Sequence, residues 1–303
     1  MNIGFIMHSV ISLDALKVLD AIDKKGSFSA AAEALFKVPS ALTYQVQKLE
    51  SELGSRLFER KGTRAQLTEV GRLVLTQGRE ILAATARLED AVRQLETGWE
   101  AQLTLALDTV LPQAPLLSLI KEFTELGKQL TVSVTHEALG GGWDALYSNR
   151  ADIAIGVTGE LPRGQYELQK LGELEFVFVV APEHPLAQFD TEIASEALLQ
   201  FPSIIVADTS RSLSQRSSGV FDSRQLIRVS SMEAKITAQK MGIGVGFLPL
   251  HLIRDALAKG ELVQREVALP RPSLPIYMAW RKGKMGKALG WFAERLQGSD
   301  FGL

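Results

Sequence analysis

Basic side chains crowd one short stretch of this chain. Between Phe36 and Gln66 stand six of them, Lys37, Lys48, Arg56, Arg60, Lys61 and Arg64, against the three acids Glu50, Glu52 and Glu59. The whole 303-residue chain carries a formal charge of −2. A local excess on a near-neutral chain suits phosphate contact by one module and argues against a polyanion binder that works by bulk charge. A second group is polar and follows short apolar runs: Asp108-Thr109, Val157-Thr158, Thr209-Ser210-Arg211 and Ser230-Ser231. Hydroxyls beside exposed N–H groups suit a carboxylate or another polar, oxygenated ligand, and Arg211 adds a fixed charge. The same residue types also serve as plain helix caps.

Other chemistries find little support. The chain has no cysteine, so disulfides, thiolate metal sites and a cysteine nucleophile are absent together. His8, His136, His184 and His251 are scattered, with no metal-ligand spacing between any two. No Gly-x-Ser-x-Gly elbow occurs. Gly242-x-Gly244-x-Gly246 follows a helical stretch and precedes a strand, whereas a phosphate-cradling loop follows a strand and opens a helix. It therefore reads as a turn. No catalytic residue, metal or cofactor is expected.

The elements that must carry the two polar groups differ in texture. Leu13, Leu16, Leu19 and Ile22 form one helical stripe that Gly26 ends; Ser27 then opens a short helix bearing Ala30, Ala31, Ala34 and Leu35. A third helix opens at Pro39 and carries Leu42, Val46, Leu49 and Leu53, with Gly54 at its end. Two helices on a short turn, with small residues where they approach, make a helix-turn-helix. Residues 57–68 alternate and turn at Gly62, a hairpin wing with a basic tip. From Thr68 to Trp99 there is no proline, and Val70, Val74, Gln77, Ile81, Ala84, Leu88, Ala91 and Leu95 recur near the coiled-coil period. A helix of roughly thirty residues spans about 45 Å. It cannot bury that stripe in one small domain, so dimerisation is expected.

Beyond Trp99 strands alternate with helices, which implies βαβ units and parallel sheets. Strands are read at 103–107, 130–134, 152–157, 176–181, 203–207, 226–229, 245–248 and 276–280, and helices at 115–126, 143–149, 232–241, 250–258 and 287–296. Trp143 and Phe247 read as core. Residues 1–11 lack a basic n-region and a clear cleavage site, and no run of about 18 apolar residues occurs, so neither a signal peptide nor a membrane span is expected.

The sequence resembles the LysR-type transcriptional regulators. The matching residues are Leu13-Asp14-Ala15-Leu16, Gly26-Ser27-Phe28-Ser29-Ala30-Ala31-Ala32, Ser40-Ala41-Leu42-Thr43, Gln47-Lys48-Leu49-Glu50, Leu53 to Arg60 and Leu67-Thr68-Glu69-Val70-Gly71. Weaker matches follow at Arg150 to Ile155, Pro182 to Leu186 and Gly242 to Pro249. One departure stands out: Pro39 occupies a position where the family usually has a polar residue, often Gln, and proline offers no donor to a base edge.

The resemblance implies a winged helix-turn-helix at 12–68, a dimerisation helix at 69–99, and two Rossmann-like α/β lobes of the type 2 periplasmic-binding-protein kind. Lobe I would comprise 102–165 and 266–297, and lobe II 166–265. It places the third helix in the major groove, with Ser40, Thr43, Tyr44 and Gln47 facing bases or phosphates and the Tyr44 ring able to meet a thymine methyl. Arg60, Lys61 and Arg64 of the wing would touch phosphates or the minor groove. A small-molecule effector, a carboxylate or an aromatic metabolite, would sit between the lobes against Thr109, Thr158, Thr209, Ser210, Arg211, Ser230 and Ser231. The resemblance also implies a cytoplasmic homodimer or homotetramer on an interrupted palindrome in double-stranded DNA, with RNA polymerase as a further partner. Rival readings are a DNA-binding protein with a vestigial cleft, a solute-binding protein and, least favoured, an enzyme.

Overall fold

The computed structural model describes residues 10–61, 64–158, 164–218, 223, 225–268, 271–283 and 285–303. It divides into two compact units, residues 1–92 and 93–303.

In the first unit α1 (Leu13–Lys25) starts where the Ser12 hydroxyl accepts the N–H of Ala15, and ends where Gly26 adopts φ +74°. Ser27 caps α2 (Phe28–Ala34) in the same way through Ala30 N–H. Helix α3 (Pro39–Leu53) has Pro39 in its first turn and closes at Gly54, φ +65°. Strands β1 (Phe58–Lys61) and β2 (Arg64–Leu67) pair antiparallel, Phe58 opposite Leu67. Leu16, Leu19, Ile22, Ala31, Ala32, Leu42, Val46 and Leu49 close one apolar core with Leu57 and Leu75. The Glu50 carboxylate of α3 accepts the N–H groups of Leu57 (2.7 Å) and Phe58 (3.1 Å), which sets the root of the wing.

Helix α4 (Glu69–Thr97) follows. Thr68 caps it, its hydroxyl donating to Arg56 O and accepting Gly71 N–H. The helix shows two apolar faces. Leu75 packs into the core of the unit, whereas Val70, Leu73, Ile81, Leu88, Val92 and Leu95 are exposed.

In the second unit the elements are β3 (Gln102–Asp108), α5 (Ala114–Glu125), β4 (Thr131–Glu137), α6 (Gly141–Tyr147), β5 (Ile153–Val157), β6 (Tyr166–Leu174) and β7 (Phe176–Val180). After a 3-10 turn at Pro185–Gln188 come α7 (Ser195–Leu198), β8 (Ser203–Val206), β9 (Leu226–Val229), α8 (Met232–Lys240) and β10 (Gly246–Pro249). The chain closes with α9 (Leu250–Ala258), β11 (Val263–Gln264), β12 (Leu274–Arg281) and α10 (Lys287–Gln297). One sheet runs β4-β3-β5-β12-β6, with β3, β4 and β5 parallel and β12 antiparallel to both neighbours. The other is built from β10-β7-β11 and the parallel pair β8-β9, joined by a bridge between Ser203 and Val245. This is the two-lobed α/β architecture implied by the sequence.

The expected division at 165/166 needs correction. Strand β6, which sequence reading did not identify, pairs with β12 along its whole length and belongs to the first sheet. The chain crosses to the second sheet only after Leu174. Glu167, Lys170 and Glu173 point outward from this edge strand, so it carries no continuous apolar run to mark it. The glycines between α8 and β10 form the helix-to-strand turn expected, with Gly242 at φ +69°.

Candidate functional site

In the first unit α3 carries the residues expected to read DNA. Leu42, Val46 and Leu49 point inward, so Ser40, Tyr44 and Gln47 share the opposite, exposed face. Thr43 is half-buried and its hydroxyl donates to Pro39 O at 3.0 Å, which ties it to its own helix. Asp14 holds two residues of this region. Its carboxylate accepts the Lys37 ammonium at 2.9 Å and the Gln45 amide, and the Lys37 hydrogen bond holds Asp14 below the usual carboxylate range. Lys37 therefore faces an acid of its own chain. Arg60, Lys61 and Arg64 lie on the paired wing strands, but their side chains lie outside the described residues.

In the second unit, the carboxyl ends of strands from both sheets meet. The Thr209 hydroxyl after β8 donates to Glu137 Oε2 at the end of β4 (2.5 Å) and accepts Ala138 N–H (3.0 Å). Asp208 accepts the N–H groups of Gly140 (3.1 Å), Ser210 (2.7 Å) and Arg216 (2.6 Å). Arg150 bridges Glu137 (2.7 Å) and Asp144 (2.9 Å), and Asp144 also accepts Ser212 and Leu213 N–H. The first two of three consecutive glycines make the approach possible. A Cβ on Gly141 would stand 1.8 Å from Thr209 Oγ1, and one on Gly140 2.6 Å from Ser210 Oγ.

Asp108, at the end of β3, is buried beside these groups. Burial pushes its carboxyl up to about 7 against hydrogen bonds from Val110 and Leu139 N–H, and the Glu137 and Asp208 charges push the same way. His251 of α9 contacts Val110 O at 2.9 Å, a further link between the sheets.

Of the residues expected to meet a ligand, Thr209 and Ser210 join this cluster through the contacts above. Thr109 joins by its N–H on Glu137 O. Thr158 joins through its carbonyl, which accepts Trp143 Nε1 and Arg216 Nη1. Ser231 caps α8 by accepting Ala234 N–H at 3.1 Å. Ser230 and the Arg211 side chain are exposed, and no hydrogen bond ties either side chain to the cluster among the described residues. Trp143 is core, edge-on to Tyr166 at 5.5 Å, and Phe247 is buried too. Glu137, Asp144, Arg150 and Asp208 were missed as site residues. Only Gly140-Gly141-Gly142 could have flagged them, as a place where another chain segment comes close.

The family model for bacterial regulatory helix-turn-helix proteins of the lysR family matches residues 13–72, and that for the LysR substrate binding domain matches residues 96–300. The chain belongs to the LysR family. It is a DNA-binding transcriptional regulator with an effector-binding domain. Among relatives of this LysR-family regulator, the uncharacterised HTH-type transcriptional regulator YeeY of Escherichia coli K12 is 36% identical over 94% of this chain and 92% of its own length. PunR of the same strain is 33% identical over 94% and 93%. A crystal structure of full-length CbnR complexed with target DNA matches with TM-score 0.61 at 20% identity, covering 95% of this chain and 99% of that one. At that identity the likeness is one of fold. Among the described residues no helix is long and apolar enough to cross a membrane.

Proposed function

We propose that this LysR-family regulator binds an interrupted palindrome as a homodimer and is switched by a small polar ligand held between its two lobes. Ser40, Tyr44 and Gln47 face base edges, Thr43 borders them with its hydroxyl turned back on Pro39 O, and Arg60, Lys61 and Arg64 hold phosphates. The exposed apolar stripe of α4 supports the dimer, because Leu73, Leu88 and Leu95 leave most of their surface to solvent in the single chain. Pairing of dimers into a tetramer, contact with RNA polymerase, a cytoplasmic location and a regulatory rather than catalytic role complete the reading. The domains run 12–68, 69–99, lobe I and lobe II, with the first lobe boundary moved to 174/175.

The observation that carries the ligand reading is a pair of orphans. The hydroxyls of Thr109 and Ser210 are buried without a hydrogen-bond partner among the described residues. A buried polar group left unpaired costs about 1–3 kcal/mol, which a ligand that pairs with it recovers. Asp108, Glu137 and Asp208 lie among the same strand ends. Their like charges favour a cationic or neutral ligand, such as an amine or a polyhydroxylated metabolite, over the carboxylate that the sequence also allowed.

A footprint on the regulator's own upstream region tests the DNA half. One interrupted palindrome should be protected, and Arg60→Ala with Arg64→Ala should lower the salt slope of log K by about 1.8, at roughly 0.9 per phosphate. Non-specific binding alone at every salt concentration would defeat it. For the ligand half, melting is followed against amines, polyols and carboxylates, with Thr109→Val/Ser210→Ala as the control. A shift seen with the native chain and lost in the variant supports the cleft; an equal shift in both removes it.

A further inference from the structure

Apolar side chains stand unpacked at the head of α3. Phe36, in the turn before the helix, is 98% exposed and adopts φ +54°. Val38, the N-cap of α3, is 63% exposed and gives the helix no side-chain hydrogen bond. Pro39 follows, exposed and without an N–H. Tyr44, on the reading face, is 67% exposed.

This arrangement is costly inside the chain. A residue with a Cβ loses roughly 1–2 kcal/mol in the left-handed region, and a helix without a Ser or Thr cap forgoes about 1 kcal/mol. The turn is nonetheless well held, since Phe36 N–H bonds Glu33 O at 3.1 Å and Lys37 N–H bonds Ala32 O at 2.9 Å. The Phe36 ring finds no packing in return, whereas Phe28 of the same unit stacks edge-on against Phe58 at 5.7 Å. Two of the polar groups nearby are already engaged, Lys37 by Asp14 and the Thr43 hydroxyl by Pro39 O, while Ser40 stays exposed one residue further along the helix. The tip therefore presents apolar surface to whatever α3 meets.

We propose that Phe36 and Val38 read the 5-methyl groups of thymines. In the major groove that methyl is the apolar feature of a base edge, and a side chain without donors can select it. Apolar contact then stands in for the hydrogen bond that Pro39 cannot make. The inference rests on the reading that α3 enters the major groove.

The test starts from duplexes selected out of a random pool by the full-length protein. Each thymine of a selected site is then replaced by uracil, which keeps the base pair and removes only the methyl. Uracil at one or two positions per half-site should weaken binding about fourfold each, the equivalent of about 0.8 kcal/mol per buried methyl-sized group. Phe36→Ala and Val38→Ala should each lose part of that preference, with an unchanged salt slope. Val38→Ser, which supplies a cap, should lose it as well and guards against a merely unstable helix. A selected site indifferent to uracil at every thymine overturns the inference alone. So does a thymine preference that survives all three variants, and a Phe36 that serves a protein partner instead would give that result. A pool yielding no selected site removes the α3 reading and the inference together.

Discussion

Asp108 and Lys235 are buried in the second unit, and for each the neighbouring charges share its own sign. Burial pushes the Asp108 carboxyl up to about 7, helped by Glu137 and Asp208, and pushes the Lys235 ammonium down to about 7, helped by Arg271. The two have opposite consequences for stability. Between about pH 4 and 7 the folded chain keeps the Asp108 proton that the unfolded chain has lost, so stability falls as pH rises through that window and is level above it. Between about pH 7 and 10.5 the unfolded chain keeps the Lys235 proton that the folded chain has lost, so stability rises with pH there. Chemical denaturation of Asp108→Asn should show a flatter profile below pH 7, and that of Lys235→Met a flatter profile above it. Near pH 7 each variant should gain on the order of 1 kcal/mol, or roughly 2–4 °C in melting temperature. Loss of stability in both would mean that the charges are satisfied by groups outside this account.

At the scale of elements, close approach and exposure make two sharp predictions. A Cβ on Gly71 of α4 would stand 2.1 Å from Leu57 O, a backbone atom at the root of the wing. Gly71→Ala should therefore force α4 away from the wing and destabilise the first unit by about 1–3 kcal/mol, read by denaturant unfolding. Leu88 and Leu95 of α4 are 66% and 68% exposed, and the proposed dimer would cover them. Leu88→Glu with Leu95→Glu should leave the fold intact and turn a sedimenting dimer into a monomer. Unchanged sedimentation would remove α4 as the dimer seam.

At the scale of the whole molecule, the proposed regulation needs ligand occupancy to reach the DNA-binding unit, and α4 is the segment of chain that runs from one unit into the other. Just beyond the end of that helix the chain is tied to α10 inside the second unit. Lys287 N–H donates to Gly98 O at 2.8 Å, and Glu100 accepts the N–H groups of Ala288 (2.9 Å) and Leu289 (3.1 Å). Glu100→Ala leaves the strand ends untouched but loosens that fastening. It should preserve ligand affinity in the isolated regulator while bringing the ligand-induced change in operator affinity towards onefold. By linkage the operator should then cease to alter ligand affinity as well, and titrations with and without DNA check both sides. Full coupling in this variant would send the signal by another route.

The sequence by itself determined the kind of protein. Helical period, capping residues and the glycine stops at Gly26 and Gly54 are local signals, and they placed α1, α3 and the wing close to where they stand. The departure at Pro39 was visible in the same way, and so was the α4 stripe. The tertiary structure decided what depends on pairing between distant segments. Polar edge strand β6 is a strand only because β12 lies beside it. Ser231 spends its hydroxyl on α8, while Thr209 meets Glu137 across 72 positions of chain. Whether a serine or threonine at a strand end caps a helix, bridges two sheets or is left without a partner is a matter of which other loop folds against it. Composition and spacing carry no information about that distance.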